Sequence, residues 1–434
     1  MTFVKLVLLA SLAAQPALAR AQPVPSAAAL PPGGQRGLDM IMVDAEGMPQ
    51  EPELARDMPE TPDEQWSGAP VDLLRPINPL YTELRRGLVR YQIKWSSLPQ
   101  VAIPAGAPLK AGASGERAEL LRKRLGLGAA DPLSPAPFDG GLEQRLREYQ
   151  QAHGLPVDGV AGSGTIRSLN RGAGYYERLI VLNMERARRL PAPGTARRYI
   201  LVDAGAARLW MMEDGRPVGS MKVVVGKAAS RTPMMAALMR YVNVNPYWNI
   251  PPDLVQALIA PKVLAEGPTY LSDRRYQVLD SWEEDARVMD PSEVDWQAVA
   301  AGRLELRVRQ LPGGTNSMGE IKFMMPNEYG IYLHDTPNRA PFEQDNRFIS
   351  NGCVRLEDAR ALARWIFGDI PRAQSPDAEQ RVDLPEPLPV YLTYLTVGVE
   401  NGAIAFRADP YERDAPLLAK MIEQGSGAKE SALR

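Results

Sequence analysis

Residues 331–356 read IYLHDTPNRAPFEQDNRFISNGCVRL and hold the chain's one cysteine, Cys353, and one of its two histidines, His334. The apolar triplet before His334 has strand character and delivers the imidazole at its end. A polar loop over 335–348 then carries the chain out and back, and Ser350-Asn351-Gly352-Cys353 makes a tight approach to the element that follows. A thiol becomes a nucleophile when a base stands within reach. Gly352, immediately before the thiol, opens backbone conformations closed to other residues and admits a close approach. The backbone N–H groups of Gly352 and Cys353 would then form an oxyanion hole, and the charge of Arg355 would favour thiolate. One cysteine and two histidines are too few for a zinc site, and no glycine-rich phosphate loop follows a strand, so neither a metal nor a cofactor is expected.

Working outward, the chain has 434 residues, enough for two or three cores. Its 45% apolar and 24% charged content is that of globular material, and its 40 prolines point to linkers and long loops. A net charge of -2 and the lack of a basic block argue against nucleic acid as a partner. The first residues, MTFVKLVLLASLAAQPALARAQ, have the layout of a secretory signal peptide over 1–21: one lysine, a short apolar run, then small residues at a cleavage site. That run is too short to span a bilayer, and no other candidate span is present. In an exported chain structural cysteines come in pairs, so a single one reads as a reactive thiol.

A disordered linker is expected over 22–66, a helical scaffold segment over 67–112 with Leu80, Leu84 and Leu88 at helical spacing, and three short helices over 113–172. The string REYQQAHGLPVDGVAGSGTIRSLN in the last of these resembles the peptidoglycan-binding domain, with Tyr149 where that family commonly has phenylalanine. His153 belongs to this motif and is thereby explained without a role in catalysis. A connecting helix over 173–197 leads to a mainly-β domain over 198–410, with hairpin turns at Asp214-Gly215 and Asn401-Gly402 and a helical insertion over 253–303. A C-terminal tail is expected over 411–434. The fold class is multidomain α+β.

The string Ser350-Asn351-Gly352-Cys353-Val354-Arg355, together with His334, VVVGKAASRTP, NPYWNIPP, RQLPGGTNSMGEIKFMMPN and YLHDTP, is similar to the L,D-transpeptidases of the YkuD type, and in particular to their large periplasmic branch. Many members have histidine at the position of Asn351, so a catalytic role for that side chain is in doubt. The resemblance implies a β-sandwich-like catalytic domain with an inserted lid, and a periplasmic transpeptidase with no cofactor and no integral membrane span. Cys353 would be the nucleophile and His334 the base, with either Asp335 or a backbone carbonyl orienting His334. Tyr332, Trp248, Ser350, Asn351 and Arg355 would face substrate. It further implies that the enzyme acylates itself on the third residue of a peptidoglycan stem, releases terminal D-alanine, and passes the acyl group to a second stem or to a wall-anchored lipoprotein. Glycan strands would be partners through the binding domain. Two alternatives stay open: a hydrolase of the same fold that cuts peptidoglycan or releases anchored lipoprotein, and a non-catalytic wall-binding scaffold.

Overall fold

A computed structural model describes residues 77–128, 138–283, 285–375 and 378–422, with the backbone of short strands at Gly37–Asp39, Ile41–Met42 and Gln65–Ser67. The expected signal peptide, most of the linker and the chain beyond 422 lie outside the described residues.

The helical half begins with α1 (Pro79–Tyr91), where a proline occupies the first turn and the Asn78 side chain caps the Leu80 N–H at 3.0 Å. Next come α2 (Glu116–Arg124), α3 (Gly140–Ala152) and α4 (Ser163–Arg171), the three expected short helices. Asp139 caps α3 through the Leu142 N–H at 2.8 Å. Leu121, Leu142, Leu146 and Leu169 are fully buried where these helices meet. Helix α5 (Ala173–Ala187), expected as a connector, is enclosed on most of its circumference and buries Asn183 and Arg186 as well as its leucines.

The β domain consists of β1 (Arg198–Asp203), β2 (Arg208–Glu213), β3 (Arg216–Gly226), β4 (Met235–Val244), β5 (Trp248–Ile250), β6 (Tyr276–Leu279), β7 (Val288–Met289), β8 (Arg307–Gln310), β9 (Ile321–Met324), β10 (Leu333–His334), β11 (Phe348–Ser350), β12 (Val354–Leu356), β13 (Gln380–Thr393), β14 (Val397–Glu400) and β15 (Ala403–Phe406). Its main sheet runs β9-β10-β12-β3-β2-β1-β13-β4, and β9 also pairs with β4, so the sandwich-like sheet closes on itself. Both expected hairpin turns form with two residues at positive φ: Asp214 (48°) with Gly215 (75°), and Asn401 (49°) with Gly402 (75°). Between β12 and β13, α6 (Ala359–Phe367) packs Ala359, Leu362, Ala363 and Ile366 onto the core, a helical stripe capped by Asp358.

Three expectations change. The insertion between β4 and β9 is not purely helical: β7-β6-β8-β5 form a four-stranded antiparallel sheet covered by short helices at Ala260–Glu266, Thr269–Asp273 and Trp296–Ala300. It has its own core of Ile250, Val255, Ile259, Val278 and Val308, which makes it a small α/β unit. Within the expected linker, Ile41–Met42 pairs in parallel with Met235 and Ala236, filling the stretch of β4's edge that β9 leaves open. The expected tail is packed as far as residue 422: a helix over 414–422 buries Leu417 and Leu418, and Tyr411 is fully buried.

Candidate functional site

Strand pairing decides which side chains share a face. Lys322 on β9 stands opposite His334 on β10, and His334 opposite Arg355 on β12. On the other side of β9, Lys322 faces Asn243 and Met324 faces Tyr241 on β4. Side chains alternate along a strand, so Val242, Phe323, Leu333 and Val354 point into the main core. Tyr241, Lys322, Met324, Tyr332, His334, Cys353 and Arg355 therefore line the opposite face. The thiol packs there against a cluster of Tyr241, Met318, Met324 and Tyr332, and Trp248 joins from the insertion side.

His334 is 3% exposed, and its Nδ1 lies 2.5 Å from the backbone oxygen of Asp335. A carbonyl oxygen only accepts, so Nδ1 carries the proton and Nε2 keeps its lone pair. The orienting group is thus the Asp335 carbonyl. The Asp335 carboxylate turns elsewhere, accepting from Arg339 Nη2 at 2.8 Å and from the Glu320 N–H at 2.9 Å. Burial, with help from the Arg355 and Lys322 charges, pushes the imidazole pKa down to about 3.

Cys353 retains some surface as a residue, yet burial around the sulfur pushes the thiol pKa up. Hydrogen bonds from the Tyr332 backbone and side chain, and the charges of Lys322 and Arg355, pull the other way. The thiol donates to the Gly330 oxygen at 3.4 Å. Tyr332 is 5% exposed, its hydroxyl is held neutral by burial, and its ring lies 5.5 Å from that of His334 and 4.7 Å from Lys322 Nζ.

The turn before the thiol is held by Ser350, whose hydroxyl donates to the Cys353 oxygen at 2.6 Å and accepts from the Gly352 N–H at 3.1 Å. Ser350 thus uses its donor and one of its two acceptor lone pairs within the turn. The Gly352 N–H, expected as one of two oxyanion donors, is likewise engaged. The Cys353 N–H has no acceptor among the described residues. Gly352 has φ +121°, a conformation that L side chains rarely adopt, which accounts for glycine there. Asn351 and Arg355 are half-buried, and neither side chain has a hydrogen-bond or ion-pair partner among the described residues.

The remaining sequence-derived residue, Trp248, is half-buried at the start of β5. It packs both on the thiol's cluster and on the core of the insertion, 6.3 Å from the Tyr276 ring. Sequence reading missed Lys322, Met324 and Tyr241, although the alternation in IKFM already put Lys322 and Met324 on a face opposite Ile321 and Phe323. Among the described residues no group of side chains is arranged to hold a metal ion, and no helix is long and apolar enough to cross a membrane.

The second histidine is fully accounted for. His153 Nδ1–H donates to the Tyr149 oxygen at 2.8 Å, and the Tyr91 hydroxyl donates to Nε2 at 2.9 Å. Its ring stacks on Tyr149 at 3.8 Å and meets Tyr176 and Phe406, which joins α1, α3, α5 and the β14–β15 hairpin in one aromatic cluster. Gly154 follows at φ +64°, where a Cβ would lie 2.2 Å from the Phe406 oxygen.

The fold thus combines a closed, sheet-rich domain that carries an inserted unit with a three-helix module, the two meeting in the aromatic cluster around His153. Residues 197–371 match the family profile of the L,D-transpeptidase catalytic domain of the YkuD type, and residues 120–169 match that of a putative peptidoglycan-binding domain. A putative L,D-transpeptidase of Haemophilus influenzae is 34% identical over 246 residues, covering 54% of this chain and 48% of that protein, so the chain spans about half the length of this curated relative. Among solved structures, an L,D-transpeptidase from Xylanimonas cellulosilytica is similar at 17% identity, covering 67% of this chain and 98% of that one, with a TM-score of 0.21. One from Mycobacterium smegmatis is similar at 14% identity, covering 45% and 58%, with a TM-score of 0.23.

Proposed function

We propose that this protein is an exported L,D-transpeptidase that cross-links peptidoglycan between the third residues of two stem peptides through a thioester on Cys353. The observation that carries the reading is the shared face on which the Cys353 thiol, the lone pair of His334 Nε2 and the unpartnered Arg355 guanidinium stand together. Substrate entering this face displaces the thiol from the Gly330 oxygen. The sulfur then attacks the carbonyl of stem residue three while its proton passes to His334 Nε2. The Cys353 N–H and the neutral Tyr332 hydroxyl donate to the oxyanion. His334 returns the proton to the amine of the departing D-alanine, leaving the thioester. An amine of a second stem attacks that thioester, His334 takes the proton, and the thiol is restored when the C–S bond breaks. Arg355 offers a fork of donors to a stem carboxylate. The insertion, through Trp248, limits water that would divert the thioester to hydrolysis.

A carbapenem, whose strained amide presents an electrophilic carbonyl, is the probe. Intact mass of the wild type is expected to rise by one adduct, with none on Cys353→Ala. An adduct that persists undiminished on Cys353→Ala would overturn the assignment. Incubation with tetrapeptide muropeptides is expected to give dimers, whereas shortened monomers alone would favour the hydrolase.

A further inference from the structure

Behind the nucleophile turn lies a buried hydrogen-bond cluster that the reaction scheme does not use. The Thr232 hydroxyl donates to the Gly352 oxygen at 2.7 Å and accepts from the Gly226 N–H at 2.9 Å. The Tyr411 hydroxyl donates to the Gly226 oxygen at 2.7 Å and accepts from the Thr232 N–H at 3.2 Å. Thr232 is 1% exposed and Tyr411 is fully buried, so every one of these bonds is shielded from water. Tyr411 also stacks on Tyr394 at 4.8 Å and sets its edge against Phe348, the first residue of the strand that enters the nucleophile turn.

The cluster is anchored from the helical half. Tyr411 N–H donates to the Tyr394 hydroxyl at 3.2 Å, and that hydroxyl donates to Asp409 at 2.6 Å. Asp409 in turn accepts from the Asp414 N–H at 2.8 Å, and the Asp414 carboxylate meets Arg186 of α5 at 2.7 Å with both side chains at most 5% exposed. On the same helix Asn183 exchanges hydrogen bonds with Thr396, at 3.0 Å to its hydroxyl and 2.8 Å from its N–H. The segment that carries Tyr411 is thus bound to α5 on one side and to the nucleophile turn on the other.

We propose that Thr232 and Tyr411 are positioning residues for Cys353. They grip the Gly352–Cys353 peptide from behind, so that the Cys353 N–H and the sulfur keep one orientation toward the bound acyl group, and the C-terminal segment ties that grip to α5. The Gly352 oxygen and the Cys353 N–H belong to one planar peptide unit, so a bond to the first fixes the direction of the second. Neither residue touches the reacting atoms. Ser350 holds the Gly352 N–H and the Cys353 oxygen on either side, and the threonine adds the bond to the Gly352 oxygen, the group of the intervening peptide that Ser350 leaves unheld. The proposal rests on the assignment of Cys353 as nucleophile.

The test compares two reactions of the same sulfur in the full-length protein. Acylation by a carbapenem needs the oxyanion donor in place, whereas alkylation by iodoacetamide needs only an accessible thiolate. For Thr232→Val we expect acylation to slow about tenfold or more, as misplacement at a reacting centre does. Alkylation is expected to stay within about threefold and KM for muropeptide to change little beside kcat. Thr232→Ser, which keeps the hydroxyl, is expected to restore acylation to within about threefold of wild type. If Thr232→Val does not fold, Tyr411→Phe answers the same question, since it removes one hydroxyl and keeps the stacking. Acylation equal to wild type in the variants, a parallel loss of alkylation, or failure of the serine to rescue would each overturn the proposal. Failure of the underlying assignment would show differently, as a wild type that takes no adduct on Cys353.

Discussion

Burial favours the neutral forms of Cys353 and His334, with the thiol pKa pushed up and the imidazole pKa pushed down to about 3. In the proposed mechanism the pair therefore starts as thiol and neutral imidazole, and the proton passes to His334 as the sulfur attacks. Because the thiol pKa is raised, the thiolate fraction keeps growing with pH beyond the ordinary thiol range, so the iodoacetamide rate is expected to climb past about pH 8.5; a plateau below neutrality would contradict the neutral pair. Arg355 belongs to the same scale. Arg355→Met is expected to raise KM for a stem peptide by about tenfold with a smaller effect on kcat, and Arg355→Lys to recover only part, because an ammonium lacks the planar fork; steady-state kinetics on muropeptides checks both. The scarcity of cysteine and histidine singled out Cys353 and His334 from sequence, and the fold puts both on one face of the sheet. The special backbone of Gly352 was legible and appears as φ +121°, but the bonds that Ser350 makes within the turn and the bond from a threonine 120 positions away were not.

Among elements, the insertion bears most directly on chemistry, because Trp248 belongs at once to its core and to the cluster around the thiol. Trp248→Ala should loosen that joint, raise KM by roughly threefold to tenfold and shift products from dimers toward shortened monomers. Unchanged product ratios would remove the insertion from the account of water exclusion. Its strands at Tyr276–Leu279 and Val288–Met289 escaped sequence reading because they are only four and two residues long and lie among acidic loops, where alternation has too few positions to register. The packed 409–422 segment escaped for another reason: its tyrosine and leucines are too sparse to announce an element, and only the groove beside α5 gives them partners. Asp414→Ala removes the carboxylate 2.7 Å from the buried Arg186 guanidinium and is expected to cost about 3–5 kcal/mol in urea unfolding; a loss under about 1 kcal/mol would mean that the pair is worth no more than an exposed one.

For the whole molecule, two buried neutral histidines make stability sensitive to acid. His153 and His334 each have a pKa of about 3 in the fold against an ordinary value of 6.5. Below pH 6.5 the unfolded chain takes up protons that the folded one refuses, so their contribution is complete above that value and is lost as pH falls toward 3. The slope is at most about 1.4 kcal/mol per pH unit for each. Asp203 and Asp414, whose carboxyl pKa values burial raises, act with the opposite sign, so the difference between two proteins is the cleaner measure. Urea unfolding of wild type and His153→Gln between pH 4 and 5.5 is expected to show a shallower pH slope in the variant by about that amount. Equal slopes would mean that His153 is protonated in the fold.

Local chemistry, read from sequence alone, determined the strand–loop–turn around Cys353, both hairpins and the three short helices. These depend on residues within about twenty positions of one another, where spacing and turn preference act directly. The tertiary structure alone decided that the sheet closes on itself, that His153 serves as the joint between the helices and the β14–β15 hairpin, and that Thr232 and Tyr411 stand behind the thiol. Those contacts join segments far apart in the chain through buried hydrogen bonds and ring packing. Their strength comes from exclusion of water, which no local pattern records.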